Sequence, residues 1–165
     1  MLIYHPAYDA YHCVFRALAL MNELKVVELP KLRILDFFLC FPGELKQVRL
    51  PVGHNEARKI SKTEHNPYHG PVSYAQAFRD MEQIQMAAYS ALAASRLVEP
   101  DEFESGLVRR TSLPIPDVLH QQIMQDMEGN LPFRYLTEKL AEIPLLGLNG
   151  LKHRTRLMEY RYDAA

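Results

Sequence analysis

The sequence predicts a mainly α-helical fold with one small β hairpin: a winged helix-turn-helix-like domain followed by a C-terminal helical extension. Three observations predict it. Apolar residues recur every three or four positions in several segments, which is the helical period. The most regular of these opens at Ser73-Tyr-Ala-Gln76, a serine followed three residues on by a glutamine, the pattern of a capping box. Directly after that segment, two short apolar runs at 97–99 and 107–111 flank a turn-rich stretch and read as a hairpin, the wing. On this reading residues 1–112 form the winged-helix-like domain with a long loop near 49–72. Residues 113–165 pack on it, and 165 residues are few enough for one domain.

The elements follow in order. A first helix is expected from about Pro6 to Leu24, with Pro6 suited to a first helical position and Asp9 to the positive end of the helix dipole. Its apolar stripe is Tyr8, Tyr11, Val14, Phe15, Leu18 and Met21. A second helix runs from Pro30 to Phe41 and is apolar on most faces, so it is either central to the core or part of a partner interface. Pro42-Gly43 ends it, and 44–48 adds a turn. The segment 49–72 holds Pro51, Gly53, Pro67 and Gly70 with little apolar content, a loop with a short helix near Asn55 to Ile60. The strongest helix spans Tyr74 to Ser95, buried through Ala77, Phe78, Met81, Ile84, Ala88, Tyr89 and Leu92.

Beyond the hairpin, Pro116 to Glu128 is helical through Val118, Leu119, Ile123 and Met127, and Gly129-Asn130 stops it. Leu131 to Ile143 forms another helix, broken by Pro144. Gly147 to His153 suits a short helix, and Arg154 to Tyr162 alternates loosely as a terminal strand.

Composition narrows function. The apolar share is 48% and the charged share 24%, as in an ordinary folded protein. A net charge of −1 shows no global basic excess, so any DNA contact must come from a local patch. No run approaches the roughly 20 apolar residues of a membrane span, and the first residues lack a secretory pattern. A cytoplasmic location is expected.

Catalytic signatures are absent. The seven glycines form neither GxGxxG nor GxxxxGK[ST], and no GxSxG, HExxH or SxxK occurs. Cys13 and Cys40 lie in apolar runs that raise a thiol pKa, so both read as core residues. His65 and His69 have an H-x3-H spacing preceded by His54, yet a proline separates them and no CxxC accompanies them. Solvated loop histidines are the expectation, with a small zinc hydrolase on His54, His65 and His69 as a minor alternative. No catalytic residue, metal or cofactor is assigned.

Basic residues are the better lead. Arg109 and Arg110 fall on the second wing strand, and Lys152, Arg154 and Arg156 form another cluster beside His153. Both are candidate nucleic-acid contacts through phosphate. Ile34, Phe37, Phe38 and Phe41, on the broad apolar helix, are candidates for a partner interface.

Two stretches resemble a known family: Tyr4-His-Pro-Ala-Tyr-Asp-Ala-Tyr-His-Cys-Val-Phe-Arg16, and Leu32-Arg-Ile-Leu-Asp-Phe-Phe-Leu-Cys-Phe-Pro42 followed by Leu50-Pro51. They are similar to the middle component of ABC three-component conflict systems, the class that includes Lamassu-type antiphage operons. The resemblance covers roughly the first third of the chain. It implies a non-enzymatic adaptor that links an SMC/Rad50-like ABC ATPase to an effector subunit, often a nuclease, with DNA reached through the complex. A stand-alone winged-helix transcription regulator is the alternative. It would read bases with the third helix, whose face offers Gln76, Arg79, Gln83 and Gln85.

Overall fold

The computed structural model describes residues 4–65, 70–71 and 73–163. The fold is mainly helical with a small antiparallel sheet. Its central helix is α1, Ala10–Leu24. Pro6–Tyr8 is only a 3-10 turn, because Asp9 is extended (φ −114°, ψ 125°) and its side chain accepts from the His12 amide. Asp9 is therefore the N-cap, and the helix starts later than the proline suggests. From Phe15 to Met21 every residue is buried, so α1 is enclosed on all sides rather than along one stripe. Tyr8 and Tyr11, expected in the buried stripe, are 43% and 67% exposed because the first turn projects beyond the core.

Lys25, at φ 64°, ends α1 and turns the chain into β1, Val26–Glu28, which sequence reasoning missed. Three residues are too few to show an alternating pattern. A broad apolar helix, α2 (Leu29–Cys40), follows with Pro30 in its first turn. A 3-10 segment, Pro42–Gln47, then leads toward α3, Asn55–Thr63, which occupies much of the expected loop.

The expected single helix from Tyr74 to Ser95 is two. Ser73 caps α4, Tyr74–Asp80, and Met81 separates it from α5, Glu82–Ala94. The two pieces face different neighbours. Tyr74 and Phe78 pack edge-on against Phe37 of α2, whereas α5 lies along α1.

A short helix, α6 (Pro100–Glu104), occupies what was expected to be the wing's turn. The strand after it, β2 (Leu107–Arg109), pairs chiefly with β1, not with 97–99. The register sets Val26 opposite Arg109, Val27 opposite Val108 and Glu28 opposite Leu107. Val27 and Val108 are both buried, so this pairing carries the sheet's apolar face. The expected hairpin survives as a single bridge, Val98 with Arg110, which lies on the other side of β2.

The C-terminal part contributes α7 (Asp117–Met127), α8 (Leu131–Glu138) and α9 (Leu151–Thr155). Only Ile123 of α7 is fully buried; Leu119 and Met127 pack against the core half-buried, and Val118, expected on the same face, is 83% exposed. The helix expected to reach Ile143 stops at Glu138 and continues as a 3-10 turn, Leu140–Glu142. Asn130 caps α8, which packs on α1, α2 and α3. Among the described residues no terminal strand forms: α9 reaches Thr155, Arg156 adopts a left-handed conformation (φ 58°), and turns and bends follow to residue 163. The sheet consists of β1 and β2 and takes in no residue of 154–162.

Candidate functional site

The basic residues do not converge on one surface as free charges. Arg109 is exposed, but its guanidinium grips Glu102 of α6 at 2.8 Å. Arg110 donates to the carbonyls of Leu97 and Leu113, at 2.6 and 3.0 Å, and partial burial lowers its pKa. It tethers the loop after α5 to the segment before α7. Lys152 pairs with Asp163 at 3.2 Å, and both side chains are largely covered. Arg154 donates from Nε to the Asn149 carbonyl at 2.5 Å and from Nη1 to the Arg49 carbonyl at 2.6 Å. Arg156 is exposed, and its side chain has no hydrogen bond or ion pair among the described residues.

Ile34, Phe37 and Phe38 are completely buried and Phe41 is 5% exposed, all within this chain's own core. Phe37 alone meets Phe38, Phe41, Tyr74 and Phe78 at ring-centroid distances of 5.2 to 5.7 Å. Of the two roles open to so apolar a helix, these four side chains fill the core role. They present next to no surface to a second protein. Breadth of hydrophobicity could not separate the two roles, because a helix enclosed by its own chain and one half-covered by a partner carry the same pattern.

The chemistry of the buried polar residues is structural. Asp36 on α2 is wholly buried. Its Oδ1 accepts from Arg16 Nε at 2.6 Å, and its Oδ2 accepts from Arg16 Nη2 at 3.2 Å and Gln85 Nε2 at 2.9 Å. The three residues tie α1, α2 and α5 together. Arg16 also donates to the Pro6 carbonyl at 2.9 Å, which anchors the N-terminal turn. Gln85, expected as a possible base reader on the third helix, is instead buried and held by Asp36 and Arg33. Sequence reasoning missed this network. The signal was a charged pair, Arg16 and Asp36, inside two otherwise apolar faces.

Cys13 lies beside this network, its thiol 3.8 Å from Asp36. Burial and the neighbouring carboxylate push both Cys13 and Cys40 far above the ordinary thiol range. Neither is suited to thiolate chemistry at neutral pH. Among the described residues no group of three or more His, Cys, Asp or Glu could hold a metal ion. His65 is exposed, and His69 lies outside the described residues. His54 instead shares a 2.8 Å hydrogen bond with Tyr135 of α8, and Tyr135 also lines a cleft of about 480 Å³ between α3 and α8. Lining that cleft are three carboxylates (Glu56, Glu64, Glu138) and three cations (Lys59, Arg134, Lys139), so it favours neither sign of ligand. No described helix is long and apolar enough to cross a membrane.

A protein-family model described as ABC-three component (ABC-3C) system Middle Component 5 matches residues 2–163. No curated protein and no solved structure matches the chain.

Proposed function

The chain belongs to the Middle Component 5 family of ABC-three component systems, and from that premise we propose that it is a non-catalytic adaptor. It joins an SMC/Rad50-like ABC ATPase to an effector subunit, often a nuclease, in a cytoplasmic defence complex of the Lamassu type. The observation that carries this reading is the family match across nearly the whole chain, since a middle component works with the other components of its system. Two structural features support it. Cys13 is sealed in the core and Cys40 is half-buried, and both thiols have raised pKa values. The buried polar network of Arg16, Asp36 and Gln85 joins helices rather than facing a cavity.

The order α1, β1, α2, then α5, the 98–110 bridge and β2, is compatible with a winged helix, and we read the fold that way. The stand-alone regulator fares worse. Gln85 is buried, and Gln76 bonds Arg79 and Asp80 on its own helix, so the third helix offers few free base readers. Co-expression tests the adaptor reading. The tagged chain should retain both an ABC ATPase and an effector encoded beside it. Retention of neither, with specific binding of the chain alone to a DNA site as a homodimer, would favour the regulator.

A further inference from the structure

The cleft between α3 and α8 has charges on its walls that do not all find partners in this chain. Ile60 of α3 and Tyr135 of α8 are its buried lining residues, and Leu131, on the α8 side, is 59% exposed. Two of its three carboxylates are matched by cations of the same cleft, Glu56 by Lys139 and Glu138 by Arg134. That leaves Lys59 and Glu64, both exposed and in no ion pair among the described residues.

The two cannot satisfy each other. They stand five positions apart, whereas partners along one helix stand three or four apart. Glu64 also lies at the C-terminal end of α3, where the helix dipole disfavours a carboxylate and a cation would relieve it. The other charged residues of α3, Arg58 and Lys62, are not among the cleft's walls.

A surface with one free charge of each sign suits an occupant that carries the same two charges in reverse order. A second copy of this chain is such an occupant. When two copies of one helix meet antiparallel across a two-fold axis, positions equally far from the crossing point face each other. The point midway between Lys59 and Glu64 is also midway between Ile60 and Thr63, and all four residues line the cleft. One crossing point therefore sets Lys59 against Glu64 of the second copy, Glu64 against its Lys59, and Ile60 against its Thr63.

We propose that the α3/α8 cleft is a homodimer interface, in which α3 of a second copy lies antiparallel over it, exchanges two Lys59–Glu64 ion pairs and covers Leu131. The contact is small, since α3 is roughly 13 Å long, so the dimer is weak and depends on concentration. The proposal is independent of the adaptor reading. Two paired copies can each hold an ATPase and an effector, and it is specific DNA binding, not pairing, that would favour the regulator.

Sedimentation velocity of the full chain from about 1 μM to about 1 mM should show a monomer–dimer equilibrium. Lys59→Glu and Glu64→Lys each turn both ion pairs into like-charge contacts, and each should weaken the dimer about tenfold or more. The double variant Lys59→Glu/Glu64→Lys restores opposite charges at both contacts, and so does an equal mixture of the two single variants. Both should pair as the wild type does. Melts of the charge variants at low concentration should stay within a few degrees of wild type, because neither side chain is paired within the described residues. A chain that stays monomeric across the whole range overturns the proposal. So does a dimer that neither single reversal weakens, which would lie on another face. Single variants that weaken the dimer but fail to pair with each other would overturn the two-fold register.

Discussion

Removing the Asp36 carboxylate should cost more than any other single polar change in the chain. In Asp36→Leu the Arg16 guanidinium remains, its side chain 8% exposed, without its charged partner. Gln85 loses one of the three hydrogen bonds its side chain makes, and keeps those to Arg33. Breaking a buried pair by removing one partner costs about 3–5 kcal/mol, a large part of the roughly 5–15 kcal/mol that stabilises a typical domain. For a chain of this size each kcal/mol moves the melting temperature by roughly 2–4 °C, so a fall of about 6–20 °C is expected. Calorimetry or circular dichroism reads it directly. The double variant Asp36→Leu/Arg16→Met removes both charges and should recover most of the loss, since an apolar replacement of a buried pair is often neutral or better. A melting temperature for Asp36→Leu within a few degrees of wild type would refute the reasoning. So would a double variant that simply adds the two single losses.

The remaining predictions concern single positions. Cys13→Ala and Cys40→Ala should each cost only about 1 kcal/mol and leave the assembled system active. The Cys13 thiol should resist alkylation near neutral pH until the protein unfolds, because it is wholly buried and burial raises its pKa, and fast labelling of Cys13 in the folded chain would contradict that. Partial burial and the Lys139 charge hold the His54 pKa below its ordinary value. The unfolded chain therefore takes up that proton first, so stability from this group is complete above about pH 6.5 and falls as the pH drops toward the folded value. His54→Asn should flatten that part of a pH–stability profile, and an unchanged slope would remove His54 from the account. Gly150→Ala forces a methyl against the Leu146 carbonyl and should destabilise by about 1–3 kcal/mol in a denaturant titration. Arg110→Ala should lower the melting temperature more than Arg109→Ala, since the first tethers two backbone segments and the second loses only an exposed ion pair.

Several helix starts were legible from their caps, although the break at Met81 inside the expected Tyr74–Ser95 helix was not. Ser73 does cap a helix, Pro30 does sit in a first turn, and Asn130 closes the gap between α7 and α8. The sheet was legible only in part. Leu107 to Arg109 read as a strand, but its main partner lies between the first two helices, in three residues that carry no alternation of their own. Long-range pairing of that kind leaves no local trace.

The candidate surfaces were harder still. Arg109, Arg110 and Lys152 read as free cations because sequence spacing does not reveal Glu102, two carbonyls or Asp163 beside them. Ile34, Phe37 and Phe38 read equally as core or interface until the surrounding helices could be seen. Arg49 and Arg154 stand 105 positions apart, so the clamp they form could not be read from either neighbourhood.

The adaptor claim is tested most directly by reconstitution from separately purified parts. With the ABC ATPase tagged and immobilised, the effector should be recovered only when this chain is added, in proportion to the chain bound. Equal recovery of the effector with and without the chain would contradict the account.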